Sequence, residues 1–230
     1  MRKVLVTGAT GGIGRALVPL LAPSSSLFLT GRDPVKLDEV AREARSAGND
    51  VSALALDLMA PGAVQTLASW LGGSVDVLVN NAGDVQFCPY ESQPWSAAQR
   101  ELRLNLEVPM ELVHALLSGM LARGQGRIVN VLSIAAKETF AGAAAYSAAK
   151  TGLLAFTRCL NKETRTRGVH SVALLPGATD TALWDRQQGG PPRDRMLPAF
   201  AVAEEIVRLS DLPADRAVDE VVLLPPNGVL

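Results

Sequence analysis

The chain has 230 residues, 48% of them hydrophobic, enough for one full core and short of two large ones. Its 22 Lys and Arg against 23 Asp and Glu give a formal net charge of −1, so no global basic field draws it to nucleic acid or anionic lipid, and small molecules are the expected partners. Two cysteines, Cys88 and Cys159, and two histidines, His114 and His170, are too few for a disulfide framework, a metal cluster or a Ser-His-Asp triad; a reduced, cytoplasmic setting without metal is expected.

Arg2 and Lys3 ahead of Val4-Leu5-Val6 faintly imitate a secretory signal, but Gly8, Gly11, Gly12, Gly14 and Arg15 break it. No apolar run reaches the roughly 18–20 residues that cross a bilayer, so a soluble protein without membrane partners is expected. Short β-branched or aliphatic runs then alternate with longer amphipathic stretches. Strands are predicted at 3–7, 27–30, 51–55, 75–80, 127–131, 171–175 and 218–224, and helices at 14–21, 34–47, 61–71, 95–122, 144–167 and 201–209. This order predicts an α/β fold, a doubly wound parallel sheet of about seven strands with helices on both faces, read as one domain over 1–230. Ligands in such a sheet gather at the carboxyl ends of the strands.

The first strand runs into Thr7-Gly8-Ala9-Thr10-Gly11-Gly12-Ile13-Gly14, and a helix follows at once. Gly8 permits a tight turn, Gly12 lets the backbone approach a pyrophosphate, and Gly14 lets helix and strand pack closely. The free N–H groups and positive dipole end of the helix then face phosphate. Alone such a turn is equally a compact connection; its place between a first strand and an amphipathic helix makes it a dinucleotide-binding feature.

The second strand ends in Thr30-Gly31-Arg32 rather than in the carboxylate that would hold the ribose hydroxyls of NAD. The Arg32 guanidinium suits a 2′-phosphate, so NADP(H) is favoured, with NAD(H) as the alternative and a solvated surface charge as the bland one. Asp33 precedes Pro34 and is expected to cap the next helix.

Further along, Tyr146-Ser147-Ala148-Ala149-Lys150 sits in a helical stretch. Four residues apart, phenol and ammonium share one face. A free tyrosine titrates near about 10, and a neighbouring Lys⁺, helped by an oxidised nicotinamide, is expected to lower that value. Ser133, at the end of the fifth strand, could hold a substrate oxygen while charge develops on it. A Tyr-x-x-x-Lys pair alone often means a core aromatic beside a snorkelling lysine; behind a nucleotide turn and with Ser133 it reads as catalytic.

Together these residues resemble the short-chain dehydrogenase/reductases over nearly the whole chain. The resemblance rests on the glycine turn, Asn80-Asn81-Ala82-Gly83, Asn105, Ser133, Tyr146, Lys150 and Pro176-Gly177-Ala178-Thr179-Asp180-Thr181. It implies a Rossmann fold and a nicotinamide-dependent oxidoreductase that interconverts a small aldehyde or ketone and its alcohol, with Tyr146 as acid and base. It also implies that Gly8, Thr10, Gly11, Gly12, Ile13 and Gly14 hold the cofactor, and that Asn81-Ala82-Gly83 line its adenosine side. An acidic residue placed like Asp57, followed by Leu58, contacts adenine, and Pro176, Gly177, Thr179 and Thr181 seat the nicotinamide. Tyr146 and Lys150 count among the cofactor contacts too, while Asn105 kinks its helix and holds a proton-relay water. Equivalent helices in the family pack between subunits, implying a homodimer or homotetramer.

The tail Leu224-Pro225-Pro226-Asn227-Gly228-Val229-Leu230 departs from the family's glycine-rich ending. Irregular stretches at about 84–94 and 182–199 are expected to be substrate loops, the second long enough for a lid. Two rival classes are a dinucleotide-binding regulator on the same fold and a scaffold using the long helices. Intact Ser133, Tyr146 and Lys150 count against the first.

Overall fold

The computed structural model describes residues 1–21, 25–187, 190–213 and 215–229; Gln188 and Gly189 of the 182–199 loop and Leu230 of the tail lie outside the described residues. The main strands are β1 (Arg2–Thr7), β2 (Ser25–Gly31), β3 (Asp50–Ala55), β4 (Val77–Asn80), β5 (Gly126–Val131), β6 (Val169–Pro176) and β9 (Glu220–Leu223), with a short ladder of β7 (Thr179–Asp180) and β8 (Leu197–Pro198). The helices are α1 (Gly12–Leu21), α2 (Pro34–Ser46), α3 (Ala63–Trp70), α4 (Trp95–Leu102), α5 (Val108–Arg123), α6 (Ala144–Thr164) and α7 (Ala199–Ser210).

Seven strands form one parallel sheet in the order β3-β2-β1-β4-β5-β6-β9. The chain winds outward from β1 to β3 and then restarts at β4 on the other side of β1. That reversal opens a crevice beyond the carboxyl ends of β1 and β4, where ligands of such sheets bind. Strand alternation builds the two faces: Val4 and Val6 of β1 pack with Leu17, Leu37, Val202 and Ile206, while Leu5 packs on the other side with Leu67, Leu78, Leu112, Leu116 and Ile128. Each such leucine or isoleucine contributes about 1.5–3 kcal/mol by leaving water. β5 is buried along its whole length, as expected of a strand covered by helices on both faces.

Helix ends follow local chemistry. Asp33 caps α2 as expected, its carboxylate accepting from Val35 N at 3.0 Å and Lys36 N at 3.1 Å, with Pro34 in the first turn. The helix expected from residue 61 starts at Ala63, because Pro61 and Gly62 form the preceding turn. The helix expected over 95–122 is interrupted by a five-residue π turn, Arg103–Glu107, which contains Asn105 and separates α4 from α5. Among the described residues no helix is long and apolar enough to cross a membrane, and no group of three or more His, Cys, Asp or Glu side chains is placed to hold a metal ion.

Candidate active site

A cleft of about 990 Å³ lies over the carboxyl ends of the strands, bordered at one end by the glycine turn and at the other by Ser133, Tyr146 and Lys150. Main chain shapes its nucleotide end. Gly8 has φ +65°, and a Cβ there would lie 2.9 Å from Ala82 Cα, so the turn rests directly on the segment after β4. Thr7 Oγ1 accepts from Asn81 N and Ala82 N, each at 3.0 Å, and Asn81 Nδ2 donates to Thr7 O at 3.0 Å and Gly8 O at 3.1 Å. The Asn81 amide thus ties the turn to β4 while Ala82 and Gly83 face the cleft.

Gly14 sits behind the wall: a Cβ would come within 2.7 Å of Ala9 Cα, so its role is the close approach of α1 to the turn. Thr10, Gly11, Gly12 and Ile13 line the cleft itself. A Cβ on Gly12 would lie 2.5 Å from Thr181 Cγ2, which shows how near the turn stands to the Pro176–Thr181 segment across the crevice. Arg32, Asp57 and Leu58 gather at the far rim. Asp57 accepts from Met59 N at 3.0 Å and so sets its own turn. Arg32 is exposed and, among the described residues, makes no ion pair, and Lys36 from α2 lines the same rim. The bare glycine cradle, the helix N-terminus and the unpaired guanidinium fit an NADP-sized anion with a 2′-phosphate.

At the other end α6 carries Tyr146 and Lys150 one turn apart, with Lys150 Nζ 5.6 Å from the centre of the Tyr146 ring. Lys150 is buried and donates to Val131 O, the last carbonyl of β5, at 3.0 Å. Ser133, two residues on, accepts from Ala135 N at 3.1 Å and stands close to the Tyr146 phenol. Asn105 is fully buried in the π turn, where Nδ2 donates to Asp84 O at 2.8 Å and Glu101 O at 2.9 Å. Its Oδ1 has no partner among the described residues. A Cβ on Gly83 would lie 2.8 Å from that oxygen and 3.6 Å from Lys150 Nζ, so the bare Gly83 lets amide and lysine face each other.

The electrostatics correct one expectation. Burial pushes the Tyr146 phenol up to about 12, the nearby Ser133 hydroxyl opposes this, and the negative charges of Glu101 and Asp84 add to it. Burial also brings Lys150 down to about 7. Desolvation, which acts on both groups, thus dominates at the phenol in this state.

Two loops roof the site. Arg186 pairs with Asp84 at 2.9 Å, Gln187 Nε2 donates to Val85 O at 2.8 Å, and Gln187 Oε1 accepts from Phe87 N at 3.0 Å. The rings of Phe87 and Trp184 stack at 5.6 Å, and Trp184 Nε1 donates to Thr179 O at 3.1 Å. Arg193 ties the loop back to Thr181 O and Asp180 at 2.6 Å each and pairs with Asp185. The described parts of the expected lid are thus anchored at the base and across to 84–94. The atypical tail also takes part, since a Cβ on Gly177 would meet Pro225 Cδ at 3.1 Å and Leu224 Cδ2 at 3.2 Å.

Sequence reasoning missed Lys36, Glu101 and the Gln187 bridge. A carboxylate four residues before Asn105 on one helical face was the only local sign of Glu101, and such a residue more often belongs to a solvated face.

The short chain dehydrogenase family profile matches residues 2–190. Over 213 residues the chain is 30% identical to the uncharacterized oxidoreductase YxjF of Bacillus subtilis, covering 90% of this chain and 83% of that one. Over 197 residues it is 34% identical to the 3-oxoacyl-acyl-carrier-protein reductase FabG of Vibrio cholerae, covering 81% of this chain and 79% of the other. A metagenomic short-chain oxidoreductase solved in complex with NADP superposes with a TM-score of 0.85 at 30% identity, over 97% of this chain and 96% of that one. A crevice at the strand reversal, with the same profile running through both of its ends, leaves one assignment: the chain belongs to the short chain dehydrogenase family and is an NAD(P)-dependent oxidoreductase.

Proposed function

We propose that the chain reduces a small aldehyde or ketone to its alcohol with NADPH, and runs the reverse oxidation with the same parts, using Tyr146 as general acid and base. The observation that carries this reading is the convergence of Ser133, Tyr146 and Lys150 on one wall of the cleft that also holds the glycine turn. The NADP complex of the metagenomic relative and the ketoacyl reductase activity named for the Vibrio relative point the same way.

In this reading Gly8, Thr10, Gly11, Gly12 and Ile13, backed by Gly14, hold the pyrophosphate, and Arg32 with Lys36 meets the 2′-phosphate. Asp57 and Leu58 contact adenine, Asn81-Ala82-Gly83 border the adenosine, and Pro176, Gly177, Thr179 and Thr181 seat the nicotinamide beside Tyr146 and Lys150. Bound NADPH supplies the hydride. With its phenol pushed up to about 12, Tyr146 carries its proton at neutral pH, the form that reduction requires. An alkoxide is more basic than a phenolate, so proton transfer from Tyr146 to the developing oxyanion runs downhill. Ser133, whose oxygen already accepts from Ala135 N, keeps its single O–H for the oxygens at this point. Lys150 and Asn105 stand behind the phenol to return the proton.

The sequence acts here as one nucleotide-binding unit whose loops at 84–94 and 182–199 choose the substrate, and it works as a homodimer or homotetramer in the cytoplasm. Following NADPH absorbance with a panel of aldehydes and ketones tests the activity: oxidation with at least one is expected. Tyr146→Phe should cut turnover by about 10²–10⁴-fold while NADPH still binds. Undiminished turnover would remove Tyr146 from the mechanism, and silence across the whole panel would favour a dinucleotide sensor.

A further inference from the structure

α6 begins without a cap of its own. Its N-cap residue is Ala143, whose side chain accepts nothing, so the first N–H groups of the helix that presents Tyr146 lack the usual local acceptor. Across from them stands Glu101, in the last turn of α4, 6% exposed. One carboxylate oxygen accepts from Gln86 N at 2.8 Å and the other from Gln93 Nε2 at 3.3 Å. With α4 packed along α6, Glu101 also stands close to the start of that helix and to Tyr146. Its main-chain carbonyl takes the Asn105 amide at 2.9 Å.

One residue therefore stands beside the helix that carries the phenol and bonds both the loop that roofs the substrate and the amide opposite Lys150. We propose that Glu101 is a positioning residue for catalysis: from α4 it locks the 84–94 loop and the Asn105 amide beside the start of α6, holding Tyr146 at fixed height against the substrate. This rests on the reading of Tyr146 given above.

The charge itself matters as well as the shape. Among the described residues no cation pairs with Glu101; Arg32, Arg100 and Arg186 line the small hollow beside it, and Arg186 is engaged by Asp84. Neutral amides, Gln86 N and Gln93 Nε2, hold the carboxylate instead. Burial raises it above the ordinary carboxylate range, with the Gln86 amide opposing most strongly and Asp84 adding a further upward push. The titratable groups facing it are Asp84 and Tyr146, and its negative charge is one of those that raise the phenol.

Glu101→Gln and Glu101→Leu test this beside Tyr146→Phe. Gln keeps an acceptor oxygen but turns one acceptor into a donor; Leu removes both. The expected result is a graded loss of kcat, about tenfold for Gln and nearer a hundredfold for Leu, with NADPH Kd within a few-fold of the parent. Both variants lose the same charge, so both should move the alkaline limb of kcat for reduction to lower pH by a similar amount.

Parental kcat and pH limb in both variants, with Tyr146→Phe inactive, would overturn the positioning role and leave the catalytic reading intact. An active Tyr146→Phe would instead remove the reading itself. Parallel losses of Tm, NADPH affinity and kcat with an unmoved pH limb would mark Glu101 as merely structural. Amide exchange of the parent protein decides the matter if neither variant folds: Gln86 N–H should exchange as slowly as the α6 core, and rapid exchange there would overturn the lock.

Discussion

The two ends of the cleft are made of different material. At the nucleotide end the wall is main chain: the Gly8 turn lies on Ala82, Thr181 stands against Gly12, and the side chains of Thr7 and Asn81 serve only to pin backbone. At the substrate end the wall is side chain against side chain, with Gln187 bridging two loops, Phe87 on Trp184, and Arg193 reaching back to Asp180 and Thr181. A backbone wall is insensitive to most substitutions other than those of its glycines, whereas a side-chain wall can be rewritten one residue at a time. This division suits an enzyme that keeps one cofactor and varies its substrate.

The sharpest break should come where the two ends meet. Lys150→Met is expected to lower kcat by about 10²-fold or more, since the amine that returns the proton to Tyr146 is gone. The same variant should be more stable than its parent. At or below about pH 7 the folded chain carries a buried ammonium, and the desolvation penalty is complete. Above that the folded lysine sheds its proton before the unfolded one, whose value is near 10.5, so the parent gains stability as pH rises through this window. The Tm advantage of Lys150→Met should therefore be greatest at neutral and acid pH and shrink towards pH 10.5. A pH-independent Tm difference would contradict the burial cost.

A smaller effect is expected at the nucleotide rim. Arg32→Asp should swing the ratio of kcat/KM for NADPH over NADH towards NADH by about 10–100-fold, because a carboxylate repels the 2′-phosphate and accepts from ribose hydroxyls. An unchanged ratio would move the phosphate site to Lys36 or elsewhere. The smallest effect belongs to the roof: Gln187→Leu removes two inter-loop hydrogen bonds of about 1 kcal/mol each, and should raise KM for the carbonyl by up to about tenfold with NADPH binding untouched. A loss of cofactor affinity instead would show that the two ends are not separable.

The same division explains what could be read without coordinates. The glycine turn, the Tyr146-Lys150 pair and the strand order are local or periodic: each is written within a few residues or in an alternation of element types, and the fold and the family follow from them. Glu101 depends on donors 15 and 8 residues away, and Gln187 on Val85, 102 residues away, so neither partner can be inferred from spacing. The direction of the Tyr146 shift was missed for a related reason. A pairwise view of phenol and lysine contains no term for the water both have lost, nor for two carboxylates that only the folded chain brings near. Apolar periodicity likewise continued straight through residues 103–107, because a stripe of leucines does not register one extra residue in a turn.

That wide turn takes up one extra residue between two helical segments and sets a carbonyl loose from the ladder. Deleting a single residue from Arg103–Glu107 would let α4 and α5 fuse into one regular rod with the two segments in nearly their present phase. The Glu101 carbonyl would then return to the helix's own N–H ladder, and the Asn105 amide would lose the partner it now holds. Such a shortened chain should have a better helix and a worse enzyme, the irregularity being the part that aims the rest.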